Sequence, residues 1–381
     1  MACYVTVKQQ PRYHQITLEE VLSGSITLDD FIEHDITGTR TRYALGFKEK
    51  LLERYDFAAM ADALNVFASN HTGLYEQQRG DLYTTFRIPK KSGGLRRIDA
   101  PMDPLKTALL ELKMIFETQM YALYHTSAFA YVRGRCTVDA LKRHQANGSN
   151  WFLKLDFSNF FGSTTPNFLL SQIERMFPFS YVMQHPNGRA AMKKALDLCF
   201  LNGGLPQGTP ISPMLTNLMM IPIDHVLYNQ FRDFNGKYLV YTRYADDLLI
   251  SSRHNFSQKE AKGFVSQTLK KFNASFTVNP DKTRYGSSAG SNWNLGLMLN
   301  KDNAITIGYR RKKQFKAMIH NYLCNRKDGI HWSKEDLQVM NGQISYYLMI
   351  ERPYIEHILG CYQRKFGVSV IESIRADLKG T

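Results

Sequence analysis

Cysteine is scarce in this chain. Five stand in 381 residues, at positions 3, 136, 199, 324 and 361, and no two form a Cys-x-x-Cys pair. An odd, scattered set excludes a disulfide framework and a structural zinc site, and is expected of free thiols in a reducing compartment. No run of about 18 apolar residues is free of charge, so no membrane span is expected. The first ten residues, Met1 to Gln10, lack the apolar core of a signal peptide, so a cytoplasmic protein is expected. Internal repeats and low-complexity tracts are missing as well. Acid is the charge in short supply, with 34 Asp+Glu against 48 Lys+Arg and a formal charge of +14. With 44% hydrophobic and 22% charged residues the chain is globular rather than a disordered basic tail. With membranes excluded, the surplus of positive charge points to nucleic acid as the polyanionic partner.

The coarse pattern is α+β. Residues 1–80 read as mostly helical, with amphipathic stretches at Thr17–Glu33 and Tyr43–Phe67. Leu82–Pro89 and Leu95–Ile98 read as two strands around a Lys90–Gly94 turn. This hairpin carries Arg87, Lys90, Lys91, Arg96 and Arg97 with no acid before Asp99. Asn150–Phe157 is a short apolar strand. Helices are expected over Pro104–Tyr124, Pro166–Met176, Ala190–Phe200, Met214–Phe231 and Ala261–Phe272. Asn202–Pro213, rich in Gly and Pro, is a loop. Lys237–Tyr244 and Leu248–Ser252 form a hairpin, with further strands at Ser275–Val278 and Trp293–Leu299. From Arg310 to the end the chain is helical and basic, with 13 Lys+Arg against 7 Asp+Glu. A central antiparallel sheet carrying helices, followed by a helical module, is the expected architecture.

Three aspartates stand out against this background. Asp156 ends the apolar strand Trp151-Phe-Leu-Lys-Leu-Asp, and Asp246 and Asp247 sit at the tip of the second hairpin. An isolated Asp-Asp pair is commonly just a tight turn. Adjacent acids inside an apolar hairpin cannot both ionise in a dry site without a counter-charge. A divalent cation such as Mg²⁺, which prefers hard oxygen ligands, supplies one. Two such ions can stabilise both oxygens of an in-line phosphoryl displacement.

Tyr244-Ala-Asp-Asp247 resembles the signature of reverse transcriptases, and other blocks of that family stand around it in order. Ile88-Pro-Lys-Lys-Ser-Gly-Gly-Leu-Arg96 resembles the basic fingertip hairpin, and Phe129-Ala-Tyr-Val-Arg-Gly-Arg135 a fingers block of bacterial enzymes. Leu155-Asp-Phe-Ser-Asn-Phe-Phe161 resembles the first palm aspartate block. Gly204-Leu-Pro-Gln-Gly-Thr-Pro-Ile-Ser-Pro213 resembles the loop beneath the templating pair, and Asn279-Pro-Asp-Lys-Thr283 the palm lysine block. Asn294-Leu-Gly296 stands where a primer grip would be. Gly342-Gln-Ile-Ser345, Pro353 and Lys365-Phe-Gly367 resemble the helical tail of retron and phage-defence enzymes.

The resemblance implies a right-hand polymerase fold: a helical extension over 1–80, interleaved fingers and palm over 81–304, and a helical thumb over 305–381. It implies RNA-directed DNA polymerase activity with two Mg²⁺ ions, Mn²⁺ being a substitute. Asp156, Asp246 and Asp247 would hold the metals with the main-chain carbonyl of Phe157. Phe161 would be the gate that rejects a 2′-hydroxyl, although the neighbouring Phe160 competes for that role. Lys90, Lys91 and Arg96 would clamp the triphosphate or, alternatively, track template backbone. Arg96 is preferred to Arg97 because alternation along a strand turns the two to opposite faces. Gln207 and Gly208 would lie against the nascent base pair, where glycine permits close backbone approach. Lys282 would be a general acid to the leaving pyrophosphate or simply a surface lysine. Arg133 and Arg135 would follow template phosphates, and Arg310, Arg311, Lys312 and Lys313 a duplex backbone.

The retron Val-Thr-Gly and Asn-Ala-x-x-His elements are missing from the sequence. An HNH-type Cys/His cluster and an RNase H-sized segment after the thumb are missing too. The expectation is therefore a bacterial enzyme of the abortive-infection or defence-associated type, working on a dedicated noncoding RNA as template or scaffold. Its partners would be that RNA, dNTPs and the cDNA product, and a homo-oligomer or accessory protein is admitted. The alternatives are a retron enzyme making branched RNA–DNA, untemplated or protein-primed DNA synthesis, and a non-catalytic RNA-binding scaffold.

Overall fold

A computed structural model describes residues 3–6, 13–16, 55–89, 93–119, 124–287 and 297–380. The chain opens on an antiparallel hairpin, β1 (Cys3–Thr6) and β2 (Tyr13–Ile16), with Cys3 opposite Ile16. The helical expectation for residues 1–80 fails here, because both segments are rich in aromatic and β-branched residues that favour extended backbone. The stretch Thr17–Glu33 lies outside the described residues. The Tyr43–Phe67 stretch is described only from Tyr55. There the helix Phe57–Asn70 is N-capped by Asp56, whose carboxylate accepts from Ala59 N at 2.8 Å. Its Met60, Ala61, Leu64, Phe67 and Ala68 are buried at helical spacing. They pack against the helices Gly188–Asp197 and Phe179–Gln184, so this helix is part of the main body and not a separate extension.

The expected basic hairpin is present as β3 (Tyr83–Pro89) and β4 (Leu95–Pro101), in register from Tyr83↔Pro101 to Pro89↔Leu95. Lys90 and Lys91 lie outside the described residues. The central sheet has four strands in the order β6-β7-β5-β8. They are β5 (Trp151–Asp156), β6 (Val240–Tyr244), β7 (Asp247–Ser252) and β8 (Arg284–Ser287). β5 and β8 run antiparallel, with Trp151 opposite Ser287. Ser275–Val278, expected as a strand, makes only an isolated bridge from Val278 to Phe157. The expected helix Met214–Phe231 is two helices, Ser212–Met219 and Ile221–Arg232, with Pro222 in the first turn of the second. Cys136, Cys199, Cys324 and Cys361 are free thiols.

Contacts divide the chain into two compact units. The first holds the described residues up to Arg135 with Leu155–Leu248 and Ser257–Thr283; the second holds Cys136–Lys154, Leu249–Phe256 and the described residues from Arg284 on. The second contains a two-stranded ribbon, β9 (Met298–Leu299) and β10 (Ile305–Thr306), and three helices, Tyr309–Lys327, Lys334–Phe366 and Val370–Gly380. Phe315, Ile319, Tyr322, Leu337, Met340, Ile344, Ile355, Ile358 and Ile374 form its apolar core. The long helix breaks at Glu351 (φ −141°, ψ 56°), two residues before Pro353, whose ring and missing N–H disfavour a continuous helix. The Glu351 carboxylate fixes the break by accepting from Thr306 Oγ1 (2.8 Å), Ile307 N (3.3 Å) and the Lys312 ammonium.

Candidate active site

The three aspartates come together inside the first unit. Strand β5 is apolar and buried because it lies inside the sheet, and it delivers Asp156 at its end, 6% exposed. Asp156 and the two residues after it are stitched on both sides. Phe157 N donates to the Asp246 carbonyl (3.0 Å), Asn279 N donates to the Asp156 carbonyl (2.7 Å), and Ser158 N donates to the Thr277 carbonyl (2.8 Å). Between β6 and β7 the turn is Ala245-Asp246, and Asp247 already opens β7. Ala245 has φ 57°, a left-handed conformation that costs a non-glycine residue about 1–2 kcal/mol. Burial raises the Asp246 carboxyl above the usual carboxylate range, and the neighbouring Asp156 and Asp247 push the same way against Lys282. Lys282 Nζ sits on both Asp156 oxygens, at 2.9 and 3.0 Å. That contact, with the neighbouring acids, raises its own pKa. Among the described residues no three His, Cys, Asp or Glu side chains are gathered as they would be around an ion. The carboxylates repel one another, and an ammonium occupies the ligand face of Asp156.

Beside these groups lies a cavity of about 770 Å³ in the same unit. Asp246, Lys282 and Asn279 line one part of it, Arg96 and Arg97 another, with Phe160, Phe161, Gln207 and Gly208. Arg97 is committed locally. Its Nε lies 2.8 Å from Asp99 Oδ1, which also accepts from Thr85 Oγ1 at 2.7 Å. Arg96 stands opposite Ile88 in the register and lines the same cavity. Phe160 packs in an aromatic cluster with Phe157 and Phe276 (centroids 5.4 and 4.9 Å). Phe161 meets Phe160 edge-on and, at 9% against 2%, is the more exposed ring. The loop Gly204–Gly208 is tied down at both ends: Leu205 N donates to the Phe161 carbonyl (3.0 Å), and Asp99 N donates to the Gln207 carbonyl (2.8 Å). Gly208 has φ 126°, and a Cβ there would come within 2.8 Å of the Asp99 carbonyl. Only glycine fits that approach.

A family model described as reverse transcriptase (RNA-dependent DNA polymerase) matches residues 88–322, well over half of the sequence. The chain belongs to this family. The reverse transcriptase is 27% identical over 311 residues to the Retron Ec83 reverse transcriptase of Escherichia coli, covering 78% of this chain and 91% of that one. To the Retron Ec73 reverse transcriptase of the same organism it is 25% identical over 286 residues, 71% of this chain and 86% of that one. Among solved structures it is similar to apo telomerase from Candida tropicalis, with TM-score 0.44 and 14% identity, covering 82% of this chain and 66% of that chain. Telomerase from Candida albicans gives TM-score 0.42 and 14% identity over 78% of this chain and 59% of that chain. Family membership carries RNA-directed DNA polymerase activity and the right-hand polymerase fold, and the mixed helices and antiparallel sheet agree with it.

Other residues of the reverse transcriptase depart from the sequence reading. Arg133 is exposed. Arg135 turns inward instead, its Nη1 donating to the carbonyls of His125 (2.7 Å) and Ala128 (2.8 Å). Its head group closes its own loop, because unpaired carbonyls in a tight turn need donors. At the start of the helix Tyr309–Lys327, Arg310 and Lys313 are exposed and Arg311 is half-buried. Lys312 is held by Glu351 and lies 4.0 Å from the Tyr354 ring centroid. Asn294–Gly296 lies outside the described residues. Sequence reasoning passed over Arg243, Asp224 and Asn217, a buried polar group behind the Asp-Asp turn. A charged residue three before the Asp-Asp pair, inside a buried strand, was the available signal.

Proposed function

We propose that this polymerase copies an RNA template into DNA at Asp156, Asp246 and Asp247, and that its RNA partner is a structured noncoding RNA of retron type. The single observation that carries the site is the main-chain bond from Phe157 to Asp246, which joins the residue after β5 to the Asp-Asp turn where both line one cavity. The donor set suits divalent ions: hard carboxylate oxygens and the Phe157 carbonyl, with the Asp246 carboxyl pKa raised by burial and then by its acidic neighbours, whose charge a cation would offset. When bound, Mg²⁺ supplies charge stabilisation to the attacking and leaving oxygens. The protein's own groups do the rest. Arg96 offers a guanidinium to the triphosphate, Phe161 stands against the sugar, and Gln207 and Gly208 present backbone to the base pair. Lys282 holds a proton beside Asp156 that a leaving pyrophosphate can take.

The relatives at 25–27% identity carry retron names and align over most of the chain, which favours the retron alternative over a non-retron defence enzyme. The test is to purify the protein with its nucleic acid and sequence both strands. A retron-type partner gives one discrete RNA joined to cDNA through a debranching-sensitive linkage. Unbranched cDNA would overturn the retron assignment, and a fall in dNTP incorporation of about 1,000-fold or more is expected for Asp246→Asn. A role in antiphage defence belongs to the same proposal, and phage plating on cells carrying Asp246→Asn is its readout.

A further inference from the structure

Among the described residues Arg243 is the bulkiest side chain with almost no solvent exposure (1%). Four of its five N–H groups are paired. Nε lies 2.9 Å from Asp224 Oδ1, Nη2 lies 2.7 Å from Asp224 Oδ2, and Nη1 reaches Asn217 Oδ1 at 3.1 Å and the Ala245 carbonyl at 3.2 Å. Asp224 is itself fully buried and accepts from Tyr241 OH at 2.7 Å. Asn217 donates onward to the Ala130 carbonyl at 2.8 Å. The main chain of Arg243 is clamped as well: its N donates to Ser127 O (2.7 Å) and its O accepts from Phe129 N (2.9 Å).

A buried ion pair is weak evidence for stability, since well-packed apolar residues often do as well. A guanidinium is distinctive in its rigid fork of donors, which an ammonium cannot reproduce. Here the fork fixes two helices with three of its bonds and the carbonyl of Ala245 with the fourth. Ala245 is the left-handed residue of the turn, a conformation that persists only where its surroundings hold it. Its carbonyl belongs to the peptide that leads into Asp246.

We propose that Arg243 is a positioning residue. Its guanidinium, anchored on Asp224 and Asn217, orients the Ala245–Asp246 peptide and so sets Asp246 against Asp156. The inference rests on the reading of Asp246 as catalytic.

The decisive variant is Arg243→Met combined with Asp224→Leu, which removes both buried charges together. The folded double variant is expected to keep its dNTP KM and lose kcat by about 100-fold, the scale of an ångström of misplacement. Its Mn²⁺ affinity, read by electron paramagnetic resonance without substrate, should fall about tenfold, a difference of 1.4 kcal/mol. Wild-type kcat and Mn²⁺ affinity in the folded double variant would overturn the proposal. Should that variant not fold, Arg243→Lys decides by the same two readouts. Activity that falls only in step with its folded fraction would again overturn it. Asp246→Asn separates the two ideas. If it retains incorporation, the catalytic reading fails; if it is inactive while the Arg243 variants behave as wild type, only the positioning role fails.

Discussion

Two ion pairs lie on either side of the Asp-Asp turn and have opposite character. Behind it, Arg243 and Asp224 are both at 0% side-chain exposure and joined through two donors. In front of it, Lys282 reaches Asp156 with one ammonium on a side chain that is 60% exposed. The rear pair cannot exchange partners without unfolding its surroundings, because a lone buried charge has nowhere to go. The front pair can, since water competes for an exposed ammonium at little cost. A polymerase site needs both kinds of contact: a frame that does not move, and a carboxylate face that can trade one cation for another.

The largest effect is expected at the front. Asp246→Asn should lower kcat about 1,000-fold or more, equivalent to several kcal/mol of lost charge stabilisation, in a primer-extension assay. It should not destabilise the fold. Asp246 has a raised carboxyl pKa in the folded state, so its contribution to stability is full at low pH and is lost as pH rises through that value. Without divalent ions, Asp246→Asn therefore melts higher than wild type at neutral pH, and the difference closes as the pH is lowered. At the rear the expectation reverses. Arg243→Met alone leaves Asp224 buried and unpaired, which costs about 3–5 kcal/mol by denaturant titration, and adding Asp224→Leu recovers most of it. Next in size is the sugar gate. Phe161→Ala should raise rNTP use relative to dNTP by about 10–200-fold, the range for a pocket contact, while Phe160→Ala chiefly lowers stability. The smallest effect extends the contrast to the helix Tyr309–Lys327. Lys313→Ala should reduce the slope of log affinity for duplex against log salt by about one, as for a lost phosphate contact. Lys312→Ala, removed from Glu351, should act on melting temperature instead.

Much of the front was legible in the sequence. Asp156 at the end of an apolar strand, the Tyr-Ala-Asp-Asp turn and the glycine-bearing loop announce themselves by residue type and local order. The rear was not. Arg243 reads as strand filler until Asp224 and Asn217, 19 and 26 residues upstream on two helices, are brought against it. No local pattern encodes that meeting. Arg135 illustrates the same limit from the other side: its type suggested phosphate, and the carbonyls of its own loop took the donor. The β1–β2 hairpin was missed because four-residue strands offer too little periodicity to outweigh neighbouring helical signals. The strand β8 was not anticipated, and the strand expected at Ser275–Val278 pairs through one residue only.

The break at Glu351 bears on how the C-terminal helices could be divided. An unbroken helix of 33 residues would run about 50 Å, longer than a small core can cover. Bent, its first arm gives Leu337, Met340 and Ile344, and its second arm gives Ile355 and Ile358, to one apolar cluster with Phe315 and Ile319. Neither arm owns enough of that cluster to fold by itself. A chain split at the bend would divide that cluster between two fragments, so the C-terminal helices are expected to regain their full helicity only on mixing, which makes residues 351–353 a natural seam for a split polymerase reassembled on demand.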